Sequence, residues 1–442
     1  LVSEARVVLG LGSSLGHRES NLKRAINRLT RGARPVLRDP KLSKVYESSA
    51  LTPDGAPDDW DLPYLNCALS GEPLVEPEAL LARVREVEQA LGRSPSERWA
   101  PRCIDIDILW WPGRGMETEE LRIPHTGVLD RAFVLEPLRD LVPEATLEGH
   151  SFREHAERLS GDGVSDTVYV AESHYRVRYP ELMGILNVTP DSFSDGGKHA
   201  RPEAALAHAW ALVEAGAAVI DLGAESTRPA GEKVEHEKEW ARIEPVLQGL
   251  MELKRSRPFR VSLDSRNPKT VMRALDIGID IINDVTGFSD PAMMEIAQGT
   301  DLTLVFMHSL SIPVAKGEFI PTDSDPVHFL QDWGRARLEA FDKKGVCHRR
   351  LVFDPGIGFG KTSQQNWQIL GRAEEFHQLE TPLLIGHSRK SLFELVTDKP
   401  SEERDSETLE VSDQLAEKGV DMIRIHDVGM HDVHFRRRLV LT

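Results

Sequence analysis

The sequence predicts two domains: an α+β ferredoxin-like fold, then an α/β (β/α)8 TIM barrel. Three observations carry this reading. In the first third, apolar periods run strand–helix–strand–strand–helix–strand. A small, polar, glycine-containing stretch, SGDGVSD at 160–166, then reads as a linker. Beyond it, eight short apolar runs alternate with amphipathic segments of helix length, as expected of a barrel. The expected division is 1–160, a linker at 161–168, and 169–442.

The elements follow in order. RVVLGLG (6–12) is a strand candidate, and Leu22, Ile26 and Leu29 keep helical spacing over 20–31. KLSKVYES (41–48) and YLNCALSG (64–71) suggest two strands joined by a loop rich in Pro, Asp and Gly. Leu80, Val84, Val87 and Leu91 share a helical face over 77–91, and CIDIDILWW (103–111) follows as a strand. The eight later runs are LMGILNV, AVIDLGA, FRVSLDS, IDIINDV, LTLVFMH, RLVFDPG, PLLIGHS and DMIRIHD. They end near Asn187, Glu225, Asp264, Asn283, His308, Asp354, Ser388 and His426. In a barrel these C-terminal ends form one mouth, where catalytic side chains collect. Helix capping explains some of them, such as Ser265 and Asp284, but not all eight.

Composition narrows the function class. The chain has 442 residues, 40% hydrophobic, enough for more than one core. Its net charge of −17 gives no global attraction for nucleic acid, so anionic ligands need local Arg, Lys, His or metal ions. Cys67, Cys103 and Cys347 include no C-x-x-C pair, which suits a reducing cytosol and argues against a thiolate zinc site. No apolar run reaches a membrane span and no signal peptide is evident, although Leu1 suggests that the start is trimmed or altered.

Within CIDIDIL, a period of two puts Asp105 and Asp107 on one face and Ile104, Ile106 and Ile108 on the other. A half-solvated strand would show the same alternation. Arg98 and Arg102 before it and two tryptophans after it favour a functional face. Two carboxylates on a rigid strand suit Mg²⁺, whose remaining positions are filled by water and phosphate oxygens. GLGSSLG (10–16) resembles a dinucleotide fingerprint but has the spacing G-x-G-x-x-x-G. DPGIGFGKT (354–362) is one residue short of a P-loop, though its glycines and Lys361 can approach a ligand. Arg228, Arg389, Lys390, Arg424 and His426 fall on mouth loops as an anion-binding cluster.

These motifs resemble known families. GLGSSLGHRESNL, YLN, RWAPRCIDIDIL and IPHTGVLDRAFVLEPL resemble 6-hydroxymethyl-7,8-dihydropterin pyrophosphokinase. MGILNVTPDSFSDGG, IDLGAESTRPAG, DPGIGFGKT, GHSRKS and RIHDV resemble dihydropteroate synthase. The resemblance covers nearly the whole chain and implies a bifunctional folate-biosynthesis enzyme. For the first half it implies ATP as pyrophosphoryl donor and two Mg²⁺ on Asp105 and Asp107, with Arg93, Arg102, Ile108, His125 and Arg131 at the triphosphate and nucleotide. Leu51, Tyr64, Asn66, Trp99 and Phe133 would hold the pterin. For the second half it implies one Mg²⁺ at Asn187, pyrophosphate at Asn187, Arg424 and His426, and pterin at Asp264, Asn283, Met307, Asp354, Gly386 and Lys390. Ser226, Thr227, Arg228, Phe359 and Ser391 would form the p-aminobenzoate pocket, the target of sulfonamides. The catalytic set is Asp105, Asp107, Arg93, Arg102, Lys390 and Asp354. A cytoplasmic homodimer through the barrel is implied, with no nucleic-acid or membrane partner. Departures are SSAL (48–51), Ala224 and HSLSIP (308–313). Two other readings remain: one domain is a degenerate binding module, or GLGSSLG serves a nicotinamide oxidoreductase.

Overall fold

A computed structural model describes residues 6–31, 34–53, 55–93, 99–161, 167–188, 202–224, 235–313, 315 and 317–441. The chain divides into two compact units, Leu1–Arg178 and Tyr179–Thr442.

The first unit contains β1 (Val7–Ser13), α1 (Arg18–Thr30), β2 (Leu37–Leu42), β3 (Tyr46–Ser48), β4 (Tyr64–Pro73), α2 (Pro77–Ala90) and β5 (Asp105–Trp110). The sheet runs β5–β1–β4, with β2 and β3 both against the far edge of β4, all antiparallel. This is the ferredoxin-like order expected. KLSKVYES is not one strand, because it breaks at Ser43. There the Ser43 N–H donates to the Ala68 carbonyl at 2.9 Å and its Oγ accepts from the Ala68 N–H at 2.8 Å. One sheet face packs Leu9, Leu11, Ile106 and Ile108 against Leu22, Leu29, Leu80 and Val84 of α1 and α2. The other face is partly covered by α3 (Ala132–Leu141) and α4 (Phe152–Gly161), through Leu135, Leu138 and Phe152 on Val8, Ala68 and Leu109. The uncovered remainder of that face carries the candidate site.

The boundary differs from the expected one. Residues 162–166 of the linker lie outside the described residues. β6 (Val168–Tyr169) pairs with Glu47 and Tyr46 of β3, and α5 (Ala171–Arg178) adds Val177 to the first core. These residues complete an edge strand of the first sheet, so the second unit begins at Tyr179 rather than at 169.

In the second unit all eight expected runs form strands: β7 (Glu181–Asn187), β8 (Val219–Gly223), β9 (Arg260–Asp264), β10 (Ile281–Asp284), β11 (Thr303–Met307), β12 (Leu351–Asp354), β13 (Leu384–Ile385) and β14 (Met422–Ile425). Neighbours are parallel, and a bridge between Phe353 and Leu383 closes the ring. The intervening helices are α6 (Pro202–Glu214), α7 (His236–Ser256), α8 (Pro268–Ile277), α9 (Pro291–Gly299), α10 (Pro326–Lys343), α11 (Ser363–Gly371) and α12 (Asp405–Glu417), and α13 (Val428–Leu441) ends the chain. Proline opens α8, α9 and α10, where Asn267, Asp290 and Asp325 accept N-terminal N–H groups. Met183, Val219, Ile281, Val305, Val352, Leu384 and Met422 form one buried cluster inside the barrel. The interior is therefore a packed plug beneath a polar mouth. No described helix is long and apolar enough to cross a membrane.

Candidate active sites

The first site is set by strand register. Gly12 lies between Asn66 of β4 and Asp105 of β5, and Gly10 between Ala68 and Asp107. Paired residues of an antiparallel sheet share a face. The two aspartates therefore face a row in which β1 contributes no side chain, leaving a cleft of about 430 Å³. Arg93, Arg102, His125, Arg131, Leu51, Tyr64, Asn66, Trp99 and Phe133 all line it. The Ile108 side chain does not, because the same period of two sends it into the core at 3% exposure. This corrects its expected place among the nucleotide contacts as a side chain.

GLGSSLG has a structural job. Ser14 and Leu15 donate their N–H groups to the Arg102 carbonyl at 2.9 and 3.1 Å, and Ser13 Oγ donates to the Cys103 carbonyl at 2.6 Å. The motif thus seats the segment entering β5. Arg93 and Arg102 reach Asp105 Oδ1 at 3.0 and 2.7 Å. His125 Nδ1 accepts from the Gly127 N–H at 3.3 Å, which turns Nε2 toward Asp107 at 3.9 Å. Arg131 lies over the rings of Trp99 and Phe133, 5.7 and 5.9 Å from their centroids.

Asp107 keeps 43% of its side-chain surface open to the cleft. Cleft burial and the neighbouring Asp105 carboxylate raise its pKa, against His125 and Arg131. Asp107 still opens to the cleft beside Asp105, so the two carboxylates offer oxygens that would fit a divalent cation such as Mg²⁺. One acid escaped the sequence reading. Glu88 sits behind Arg93, pairs with it, and accepts the Ile106 N–H at 2.9 Å. Burial pushes its carboxyl up to about 7, against the pull of Arg93 and that N–H. In sequence it is one more polar residue on an amphipathic helix.

The second site is the mouth of the barrel. Asn187, Gly223, Asp264 and Asn283 are register partners across β7, β8, β9 and β10, so they form one inward row. Gly223 leaves a gap in it: a Cβ there would stand 3.3 Å from that of Asp264. Met307 of β11 is register partner to Asp354 of β12. Asp221 lies one layer deeper, fully buried. It too was missed, because it falls two residues inside its strand rather than at the end. Arg424 donates to Asp221 at 2.5 Å and to Asp264 at 2.9 Å. Burial alone would lower the Arg424 pKa, and the two carboxylates reverse this. The Asn283 amide donates to Asp221 at 3.2 Å, while its buried Oδ1 has no partner among the described residues. That oxygen is an acceptor waiting for a donor.

Asp354 is also buried, which raises its pKa against the Gly356 N–H donating at 2.7 Å and against Lys390. Lys390 reaches the Ile357 carbonyl and lies 4.7 Å from the Phe359 ring centroid. Burial lowers its pKa to about 8, with Asp354 opposing and Arg424 assisting. His426 pairs with Ser388 Oγ at 2.9 Å, Gly386 passes close to Arg424, and exposed Ser391 opens a short 3-10 helix. Ser226, Thr227 and Arg228, with Glu225, lie outside the described residues.

Three expectations for the mouth are corrected. His308 is 1% exposed and stacks edge-on to Trp333, so it is not a mouth residue. Lys361 turns inward to His308 Nδ1 at 2.8 Å and the Phe359 carbonyl at 2.9 Å. Burial pushes His308 down to about 2, leaving a neutral acceptor for that lysine. The Arg389 guanidinium is tied through Nε and Nη2 to both oxygens of Asp405 at the start of α12. Ala224, the departure from the usual glycine, is buried, and its carbonyl accepts from Arg242 at 2.9 Å.

Known proteins resemble the two parts of the chain in turn. The family described as 7,8-dihydro-6-hydroxymethylpterin-pyrophosphokinase matches residues 8–143, and that described as pterin binding enzyme matches residues 183–426. A folate synthesis bifunctional protein of Chlamydia muridarum is 37% identical over 436 residues, 96% of this chain and 95% of that protein. This chain belongs to the bifunctional folate-synthesis family. A mitochondrial member from Arabidopsis thaliana is 30% identical and covers 96% of this chain and 81% of its own. Among solved structures, Xanthomonas albilineans dihydropteroate synthase with 4-aminobenzoic acid is 34% identical at TM-score 0.55, over 60% of this chain and 93% of that one. The Anaplasma phagocytophilum synthase with bound 6-hydroxymethylpterin-monophosphate shows the same identity and TM-score, over 60% and 99%. The chain is thus a transferase with two activities, an ATP-using pterin pyrophosphokinase and a dihydropteroate synthase acting on its product. The readings as an oxidoreductase and as a degenerate module find no support.

Proposed function

We propose that the two activities reside in the two clefts, with the residue roles as follows. In the first, the pterin stacks on Tyr64, Trp99 and Phe133, with Asn66 and the Leu51 loop reading its edge. The ATP triphosphate runs along Arg93, Arg102, His125 and Arg131. Two Mg²⁺ held by Asp105 and Asp107 would neutralise phosphate charge there. The chain's own part is positioning: Arg93 and Arg102 fix Asp105, and the row of glycines lets the hydroxymethyl oxygen approach the β-phosphorus in line. The bond from that oxygen to the β-phosphorus forms, the bond to the α-phosphate oxygen breaks, and AMP leaves. Such transfers depend on alignment and charge neutralisation.

In the second cleft, Asp264, Asn283, Met307, Asp354, Gly386 and Lys390 surround the pterin. The unpartnered Asn283 Oδ1 supports this, since a pterin edge offers N–H donors. Arg424 and His426 hold the leaving pyrophosphate. Asn187 offers one neutral oxygen, so a single Mg²⁺ there would be held largely by the pyrophosphate itself. As the C–O bond breaks, positive charge grows on the methylene and ring, and Asp354 stabilises it. The amine of p-aminobenzoate forms the new C–N bond and releases a proton. Phe359, Ser391, Ser226, Thr227 and Arg228 form its pocket, where sulfonamides would compete. A cytoplasmic homodimer through the barrel completes the reading. Light scattering that returns a single-chain mass would remove the dimer.

The observation carrying this reading is the three-strand register that puts Asn66, Gly12 and Asp105 in one row. The test is a coupled assay with ATP, Mg²⁺, hydroxymethyldihydropterin and p-aminobenzoate. Dihydropteroate should form, with one AMP and one pyrophosphate per turnover. Formation of ADP in place of AMP would contradict it.

A further inference from the structure

Lys390 is one of the proposed synthase residues, and the chain reaches it through a turn of unusual conformation. The Lys390 N–H donates back to the His387 carbonyl at 3.3 Å, and the residue between Ser388 and Lys390 is Arg389, at φ 60°. This left-handed position in a turn normally takes glycine or asparagine, because a Cβ crowds the backbone there. An arginine in such a position signals that something else holds it.

The surroundings supply that hold. Arg389 donates from Nε and Nη2 to the two oxygens of Asp405, at 2.7 and 2.6 Å, in the planar fork geometry that fixes orientation as well as distance. The pair is mostly buried, with side-chain exposures of 28% and 20%. Asp405 opens α12, a rigid element behind the turn. The Arg389 N–H donates to Thr408 Oγ1 of the same helix at 3.2 Å. Arg404, just before it, donates to the Lys390 carbonyl at 3.0 Å. On the barrel side, the Lys390 stem lies on Gly358, where a Cβ would stand 3.3 Å from Lys390 Cδ. The lysine therefore leaves a turn clamped from behind, and its stem runs along Gly358.

We propose that Arg389 and Asp405 are positioning residues for the synthase reaction: their fork-to-fork pair holds the left-handed turn that aims Lys390 at Asp354 and the pterin. Neither touches substrate. This rests on the reading that Lys390 belongs to the synthase site.

The experiment uses the full chain and supplied pterin pyrophosphate, with pyrophosphokinase turnover of the same preparation as a reference. R389A and D405N should each lower synthase kcat/KM for the pterin pyrophosphate at least tenfold, with pyrophosphokinase turnover within twofold of the parent. R389G is the discriminating variant. Glycine takes the left-handed conformation without a clamp, so R389G should stay within about threefold of the parent. D405N in the R389G background should then cost nothing further. Full synthase activity in R389A and D405N would overturn the proposal. So would an R389G loss as large as that of R389A, since the guanidinium would then act in its own right. K390A is the control for the underlying reading: if it keeps full activity, the assignment of Lys390 fails, whatever the Arg389 variants do.

Discussion

Asp221 and Arg424 form a buried ion pair across the inside of the barrel, at 2.5 Å, from strands separated by β7. Asp221 is fully buried and Arg424 keeps 20% of its side-chain surface. The pair sits just beneath the row of Asn187, Asp264 and Asn283, so it supports the floor of the synthase cleft. Removing one partner of such a pair leaves a charge without its counter-ion. Asp221→Ala should cost about 3 kcal/mol in barrel stability, the low end for a broken buried pair because Asp264 still holds Arg424. Synthase turnover should fall with it. Urea unfolding of the variant at an unchanged midpoint would contradict the pair's role.

The two activities should separate cleanly. Asp105→Ala should abolish pterin pyrophosphorylation, by ~10² or more, as expected when a charge-positioning group is lost. The same protein should convert supplied pterin pyrophosphate and p-aminobenzoate at the parent rate. Lys390→Ala should do the reverse. Loss of both activities in a folded variant would refute the two-site assignment.

The synthase should show an alkaline limb that the pyrophosphokinase lacks. Burial brings the Lys390 pKa from 10.5 to about 8, so its positive charge is present below that value and lost as pH rises through it. Synthase kcat/KM should therefore fall above about pH 8. Lys390→Arg keeps its charge throughout, so any activity it retains should lack this limb. An unchanged limb in that variant would assign the titration elsewhere.

Glu88 predicts a pH trend in stability rather than in turnover. Its carboxyl titrates near 4.5 unfolded and about 7 folded, so the folded chain holds that proton more tightly. The resulting stabilisation is present below about pH 4.5 and is lost as pH rises through about 7. Glu88→Gln should flatten the urea-midpoint profile across that window, by up to about 3 kcal/mol. Pulse proteolysis, reading peptides from residues 6–178, follows the relevant unit. A variant with the parent's pH profile would show that Glu88 ionises at its ordinary value.

Much of the architecture was legible in the chain. Every barrel strand coincides with a run of alternating or continuous apolar residues, because burial of both faces demands it. The Asp105 and Asp107 face follows from a period of two, a local property of backbone geometry. The same rule put the Ile108 side chain in the core.

What local pattern could not decide were the partners of charged groups. Arg389 and Arg424 look alike as mouth cations, yet one is locked to Asp405 on a helix and the other bridges Asp221 and Asp264 inside the barrel. His308 stands at a strand end like Asp264, but aromatic rings and Lys361 enclose it. The edge strand at Val168 and Tyr169 was invisible as well, since two residues carry no period. Glu88 became a site residue only when α2 was laid beside β5. Periodicity reports how each segment meets water and core. Which charge meets which is a matter of long-range register and helix docking, and only the folded chain settles it.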